Sequence, residues 1–307
     1  MASAASVMRE QWIVLVLAAV TGACERQPPP PPAFRGGSPA ATSPAPPRPP
    51  GGRLWDDSLG PAIATVSAES GLPVVFMRDS LRVGTVDAEL FSHDTLTVRV
   101  AFDVQPRTTG CAWHRMAQLK PLPDGARLTP WSLALSPGIG RPIAVEAIGE
   151  LAPRDSSSFA IQVSRLASAL PDDSISAPFR GLPVVVREAW RLQLGDGTLV
   201  AVAVAIRSKN VESDPRAEIL TLVGERDRKS GSGDWRVAWA RRDAGPEDRI
   251  EGADLLAALQ LRNGHAVVVF VREGERGLQV EFVERLATGS WRTRWSTAVL
   301  SCVNPPS

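Results

Sequence analysis

The sequence predicts an all-β fold for residues 53–307. Short runs rich in valine, leucine and isoleucine alternate with turn residues, which is typical of antiparallel strands. Aspartate-glycine and asparagine-glycine pairs lie between such runs, as they do in β-hairpins. One unusual phrase occurs twice, as GDWRVAW at 233–239 and GSWRTRW at 289–295. Internal repetition of this kind is typical of a sheet module that occurs more than once.

The repeated phrase closes two longer segments that match each other. LQLGDGTLVAVAVAIR at 192–207 matches LQLRNGHAVVVFVRE at 259–273, and ILTLVGER at 219–226 matches LQVEFVER at 278–285. We therefore predict repeated four-stranded antiparallel meanders, with the clearest copies at 182–242 and 250–302. Within each copy, Asp196-Gly197 and Asn263-Gly264 are expected to form two-residue type I′ turns, which require positive φ at both residues.

Tryptophan pairs mark the last predicted strand of each copy. With the two-residue period of a strand, Trp235 and Trp239 should share one face, and so should Trp291 and Trp295. Each meander would then have one apolar face, and stacking the two copies would bury both faces. Flat aromatic rings also stack on sugar rings, so the four tryptophans are candidate ligand-binding residues as well as candidate core residues.

Four-stranded meanders packed face to face resemble the blades of a β-propeller. The Gly-x-Trp that enters each last strand is similar to sialidase-type repeats, although the Ser-x-Asp lead-in of that family is missing from both copies. Retaining sialidases use a tyrosine nucleophile, and the chain has no tyrosine, which excludes that activity. GLPVV at 71–75 and at 181–185 indicates degenerate copies in the N-terminal half. A β-sandwich is the alternative architecture.

One segment departs from the strand pattern. Phe159, Val163, Leu166 and Leu170 recur at helical spacing, and Pro171 follows as a stop signal. We predict one short helix here.

The first 23 residues have the plan of a secretory signal peptide, in which a charged residue precedes an apolar run and small residues. Gly22, Ala23 and Cys24 resemble the lipobox of bacterial lipoproteins, with Thr21 where that family usually has leucine. The resemblance implies cleavage before Cys24, lipidation of Cys24 and attachment to the bacterial cell envelope, on a periplasmic or outer-membrane face. Cleavage at the same bond by an ordinary signal peptidase would instead give a secreted protein.

Residues 24–52 are predicted to form a disordered, proline-rich linker. Eleven of the 23 residues from Pro28 to Pro50 are proline, so the segment cannot build a core and favours polyproline II. At about 3.1 Å per residue, it would hold a folded domain up to roughly 70 Å from its anchor.

The charge balance limits the kinds of partner that the chain can bind, and the cysteines bear on the compartment in which it folds. Lys and Arg number 34 against 33 Asp and Glu, so no positive excess favours nucleic acid. The expected partners are a membrane, through the lipid anchor, and an envelope protein or polysaccharide. With Cys24 lipidated, Cys111 and Cys302 remain as an even pair in an oxidising compartment, and we predict a disulfide between them.

Several residues belong to types that occur in active or metal sites. Ser92-His93-Asp94 has the residue types of a hydrolase triad, but adjacent residues cannot converge on one point, so a turn is predicted. His114 lies three residues after Cys111, yet no second pair completes a zinc site. His265 follows a turn glycine and is expected to be solvated. Neither a metal nor a cofactor is expected.

Glu225 and Glu284 occupy matching positions in the two copies, and an arginine follows each of them. Paired carboxylates can cut glycosidic bonds. Repetition favours solvated strand ends with local ion pairs, because a catalytic pair is usually set apart rather than copied.

Two functional hypotheses follow. The first is an envelope-anchored lipoprotein whose β-repeat domain is a non-enzymatic binding or scaffold module. The alternative is a secreted hydrolase of glycans that uses residues such as Glu225 or Glu284. No signature names a reaction, so whether the chain is an enzyme stays open, with the binding module favoured.

Overall fold

The computed structural model describes residues 57–60, 62–67, 73–77, 84–93, 96–105, 114–122, 124–125, 131–210, 214–226, 234–250, 252–274 and 277–297. The predicted signal peptide, the proline-rich linker and all three cysteines lie outside these residues. Within them, the chain forms sixteen β-strands, one α-helix and three 3-10 helices at Asp57–Leu59, Ile148–Glu150 and Ala177–Phe179. The prediction of an all-β fold with one helix is confirmed.

The first six strands form a closed barrel. They are β1 (Ala62–Ser67), β2 (Pro73–Met77), β3 (Gly84–Phe91), β4 (Leu96–Val104), β5 (His114–Leu119) and β6 (Trp131–Leu135). Their order is β1-β2-β5-β4-β3-β6, and β1 also pairs with β6, which closes the ring. Small and branched side chains from all six strands form one core, among them Ala64, Val75, Ala88, Val100, Ala117 and Ala134. The described strands of the N-terminal half thus form a barrel. The sequence alone does not predict closure, because closed and open sheets share one alternating pattern.

The remaining strands form two antiparallel sheets. Sheet 1 contains β8 (Val145–Ala147), β9 (Val185–Gln193), β10 (Leu199–Lys209), β11 (Arg216–Arg226) and β12 (Arg236–Pro246). Sheet 2 contains β7 (Gly140–Pro142), β13 (Gly252–Leu261), β14 (Ala266–Gly274), β15 (Gly277–Arg285) and β16 (Trp291–Ser296). In each sheet the last four strands pair in chain order, and β8 or β7 adds a short fifth strand beside β9 or β13. The two matching segments therefore lie in separate sheets with the same strand order.

The α-helix found among the described residues lies where the sequence predicts it. Helix α1 (Pro153–Ser168) begins with proline at its first position, which lacks the N–H that would otherwise be unpaired there. Its buried face carries Phe159, Val163 and Leu166, and Leu170 packs against the same core just beyond the helix.

The barrel, sheet 2, sheet 1 and α1 are stacked in that order. One core joins Ile63 of the barrel to Val267 on one face of sheet 2. A second core joins Phe270, on the opposite face of sheet 2, to Val202 of sheet 1. A third joins the far face of sheet 1 to Phe159 of α1. Each sheet is therefore apolar on both faces, and the expectation of one apolar face per meander is wrong.

Matching residues of the two sheets face the same direction along the stack. Val200 of sheet 1 lies in the core that faces sheet 2, whereas its counterpart Val267 of sheet 2 lies in the core that faces the barrel. The sheets thus follow one another in one orientation and do not meet through matching surfaces.

A β-bulge in the last strand of each meander separates the two tryptophans of the repeated phrase. Pairing between β11 and β12 passes from Val237 to Trp239 and omits Ala238. As a result, Trp235 packs on the α1 side of sheet 1, whereas Trp239 packs on the side of sheet 2.

The second meander has its bulge at the matching position. Pairing between β15 and β16 passes from Thr293 to Trp295 and omits Arg294. Trp291 therefore packs towards sheet 1, and Trp295 packs towards the barrel. The prediction that each tryptophan pair shares one face is wrong, because the extra residue shifts the two-residue period.

Candidate functional site

Three hairpin turns of one geometry border the candidate site. They span 194–198, 261–265 and 286–290, and in each the first residue's N–H donates to the carbonyl of the fifth. In each turn the fourth residue is a glycine with positive φ, namely Gly197 (89°), Gly264 (83°) and Gly289 (78°). The glycine N–H donates to the carbonyl of the first residue. This is a three-residue loop with a glycine bulge.

The predicted type I′ turns are therefore wrong. Neither Asp196 nor Asn263 has positive φ. Each instead accepts a hydrogen bond from the backbone N–H two residues later, at 2.9 Å from Thr198 and 3.0 Å from His265. This Asx-type contact stabilises a type I turn, so the glycine alone takes the left-handed conformation.

Two adjoining grooves lie among these turns. The first has a volume of about 200 Å³, and its walls include Ile143, Leu194, Asp196, His265, Arg285 and Leu286. The second has a volume of about 320 Å³, and its walls include Gly138, Gly140, Arg141, Leu261 and Arg262. Gln260 and Gly264 contribute to both walls. We refer to the pair as the turn groove.

Glu225 lies behind the first groove, between the two sheets. Its side chain is 2% exposed, and its Oε1 accepts hydrogen bonds from Trp291 Nε1 at 2.7 Å and Arg285 Nε at 2.6 Å. Its Oε2 accepts from Arg236 Nη2 at 2.6 Å. Ion pairing was expected here, but the expected solvation is wrong, since β11 directs this carboxylate into the interface with sheet 2.

Glu284 is likewise buried, with 5% of its side chain exposed. Its Oε1 lies 2.8 Å from His265 Nδ1 and accepts a hydrogen bond from Arg294 Nη1 at 2.9 Å. Arg294 is the bulged residue of β16 and also donates to Ser58 beside the barrel. His265 is therefore held by a carboxylate while 33% of its side chain stays exposed, so the expectation of a solvated histidine is met only in part.

Asp196 links the β9–β10 turn to sheet 2. Arg285 Nη1 donates to its Oδ2 at 2.9 Å. Partial burial by itself raises the pKa of Asp196, but the hydrogen bonds from Thr198 and the charge of Arg285 outweigh it and lower that pKa below its ordinary value. Asp196 is therefore a charged, arginine-paired carboxylate at neutral pH.

The four candidate aromatic residues all contribute to packed layers. Trp291 and Trp295 are 6% and 3% exposed, and Trp295 meets Phe282 edge to face with ring centroids 5.4 Å apart. Trp235 and Trp239 are half-buried, and Trp239 stacks on Phe270 of sheet 2 at 5.9 Å. The structure thus distributes the tryptophans over three separate cores.

A second group of titratable residues lies where the barrel approaches the edges of both sheets. His93, from the Ser-His-Asp motif, lies beside Trp190 with ring centroids 6.4 Å apart. Burial raises the pKa of Asp254 on β13, while the charge of His93 opposes that shift. Burial and the charge of Asp254 raise the pKa of Glu188 on β9. Neither carboxylate was singled out from the sequence, because each is an isolated acid in a strand.

Other sequence-predicted sites lie partly or wholly outside the described residues. These include the lipidation site Cys24, the disulfide candidates Cys111 and Cys302, and Asp94 of the Ser-His-Asp motif. His114 begins β5. Among the residues that the structure describes, no three His, Cys, Asp or Glu side chains form a group that could hold a metal ion.

The sequence did not reveal which arginines border the turn groove. Arg141 precedes any recognised repeat, and Arg262 lies in a turn whose counterpart in the first copy is Gly195. A position that differs between two copies of a module is the signal that could have identified Arg262.

Compared with protein-family models, curated proteins and solved structures, the chain has no significant match in any of the three. Within the described part of the chain, no helix has both the length and the apolar character that a membrane span requires.

Proposed function

We propose that the chain is a non-enzymatic binding module of the bacterial cell envelope, anchored through a lipid on Cys24 and displayed on the proline-rich linker. The signal-peptide plan and the lipobox-like Gly22-Ala23-Cys24 support this location in the cell envelope. The turn groove supports the binding role, because loops on a rigid sheet scaffold are the usual place for ligand contacts.

The contacts of Glu225 and Glu284, which occupy matching positions in the two segments, carry the preference for binding over hydrolysis. Glu225 accepts hydrogen bonds from two arginines and a tryptophan, and Glu284 pairs with His265 and Arg294. A general acid for glycoside cleavage needs access to the glycosidic oxygen. Glu225 and Glu284 are 2% and 5% exposed and already hold cationic partners, so structural ion pairing is the role that their contacts support.

We also propose that the two meanders are copies of one module, stacked like successive blades of a β-propeller. Three features support this: the matching sequence, the same orientation along the stack, and a bulge at the same position before the second tryptophan. Bulges are specific features of a fold, so a shared position favours common descent.

The binding role is tested by incubating the full chain with fragmented cell-wall material and analysing both phases by mass spectrometry. We expect specific retention of fragments without any change in their masses. New, shorter fragments would support the glycan hydrolase instead. A Glu225→Gln variant then identifies the source, since a contaminating hydrolase would be unaffected by it.

The anchor is tested by the intact mass of the protein isolated from membranes. We expect an N-terminal Cys24 that carries a diacylglycerol, and loss of membrane association in a Cys24→Ala variant. An unmodified cysteine on the mature chain would indicate a plain secreted protein.

A further inference from the structure

Two arginines with exposed side chains, Arg141 and Arg262, line the second groove. Arg262 is exposed, and within the described part of the chain its guanidinium makes no hydrogen bond or ion pair. The guanidinium lies over Gly138, where a Cβ atom would come within 2.6 Å of Nη2, and Gly138 has a φ of +71°. A side chain at 138 would displace the arginine, so glycine at this position makes room for it.

Arg141 is positioned by its neighbour across β7 and β13. Its Nε donates to Gln260 Oε1 at 2.9 Å, and Gln260 in turn donates to the carbonyl of Gly264 at 3.3 Å. A guanidinium has five N–H donors. Arg141 is therefore held in place by one amide oxygen and retains donors for a ligand.

The acidic groups near the turn groove already have cationic partners. Asp196 pairs with Arg285, and Glu284 pairs with Arg294. At the back of the second groove, Glu89 accepts the N–H of Gly138 at 2.8 Å and lies 3.6 Å from Arg99. Among the residues that the structure describes, no carboxylate pairs with Arg141 or Arg262, and two such positive charges in a groove favour an anionic ligand.

The adjoining first groove contributes apolar surface to the same site. Ile143, Leu194 and Leu286 border it, together with the polar His265 and Asp196. A sugar ring has an apolar face and polar edges, and mixed walls of this kind suit it. The chain has a formal net charge of only +1, which disfavours a densely charged nucleic acid.

We propose that the turn groove binds a polysaccharide whose sugars carry carboxylates, with Arg141 and Arg262 as the carboxylate-recognising residues. The proposal rests on the binding function above and names its ligand class. Arginine is suited to this role because its planar fork of donors matches a carboxylate.

The test is a calorimetric titration of the full chain with a galacturonic acid hexamer at low and high salt. A neutral malto-hexaose of the same length and inorganic phosphate serve as separate arms. We expect salt-sensitive binding of the acidic hexamer only. Arg141→Gln and Arg262→Gln should each weaken it by about tenfold, the loss typical of one charged hydrogen bond.

Arg154→Gln is the matched control. Arg154 is an exposed arginine on α1, far along the stack from the turn groove, and this variant should bind as tightly as the unmodified chain. Melting temperatures of all three variants check that each one folds.

Each other result overturns the proposal in a distinguishable way. If the Arg141→Gln and Arg262→Gln variants bind the acidic hexamer as tightly as the unmodified chain does, the two arginines do not form the site. If inorganic phosphate binds as tightly as the acidic hexamer, the groove is a simple anion site. Equal binding of malto-hexaose would overturn the charge selectivity but leave the binding function standing. Shortening of the hexamer during the titration would contradict the binding function itself.

Discussion

At the scale of single residues, buried charges do more in this protein than the sequence indicates. Arg272 is fully buried, although in the sequence it is a charged residue at the end of an apolar run. Its Nη1 donates to Asp243 at 2.8 Å and its Nη2 donates to Thr221 at 3.1 Å, and both partners belong to sheet 1. Ion pairs thus join the two sheets at positions where periodicity predicts only solvent.

Glu225 provides the sharpest test of this interlayer pairing. Glu225→Gln removes the charge that Arg285 and Trp291 surround, so we expect the free energy of unfolding to fall by about 3 kcal/mol, as for a broken buried pair. Guanidinium denaturation measures the change.

The matched control is Glu146→Gln. Glu146 pairs with Arg191 at 2.7 Å, but 58% of its side chain is exposed, so the loss should be below about 1 kcal/mol. Equal losses in the two variants would show that Glu225 is not a buried interlayer contact.

Asp254 makes a prediction about pH. Its pKa is raised in the folded state by burial, so the folded state binds the proton more tightly than the unfolded state does. The carboxyl therefore costs stability as the pH rises through the interval between the ordinary and the raised pKa.

Asp254→Asn removes that cost. We expect the variant to unfold at a higher denaturant concentration than the unmodified chain at pH 7, and at the same concentration near pH 3, where the acid is neutral in both states. Destabilisation at pH 7 would mean that the carboxylate has a stabilising partner instead.

At the scale of elements, the sequence predicts positions better than it predicts details. The helix and the eight meander strands lie where periodicity places them. Long apolar runs and helical spacing are local patterns that do not depend on how the elements pack. The turn type and the tryptophan directions were wrong for local reasons. A three-residue loop and a two-residue loop both contain Asx-Gly, and a bulge leaves no mark in the alternation until its partner strand is known.

The turn geometry predicts opposite effects for two glycines in one loop. Gly197 has a φ of 89° and Gly195 does not have positive φ, while both have open space where a Cβ would lie. Gly197→Ala should therefore cost about 1 kcal/mol from backbone strain alone.

Gly195→Ala should be neutral or slightly stabilising, since it only restricts the unfolded chain. Thermal denaturation of the two variants gives the comparison. A neutral Gly197→Ala would contradict the glycine-bulge turn and favour another loop conformation.

At the scale of the whole molecule, the N-terminal barrel could not be predicted. Closure of a sheet depends on which strands become neighbours, as when β1 pairs with β6 across the 63 residues that lie between Ser67 and Trp131. Alternation reports which face of a strand is buried but not its partner. The candidate site shared this limit, because Arg141 and Arg262 meet only through the pairing of β7 with β13, and Asp196 lies near them only through the stacking of the two sheets.

The central claim is that the two meanders lie against each other in one orientation along the stack. Trp239 of sheet 1 and Phe270 of sheet 2 stack with their ring planes 13° apart, so a double-mutant cycle between them reports directly on that contact. Phe159 lies on the opposite side of sheet 1, and a Phe159–Phe270 cycle is the control.

The most direct measurement is the coupling energy of Trp239→Leu and Phe270→Leu from guanidinium denaturation of the full chain. The stacked arrangement predicts a coupling of about 1 kcal/mol for this pair and additive effects for the control pair. Additivity within about 0.3 kcal/mol for Trp239 and Phe270 would contradict face-to-face stacking of the two sheets.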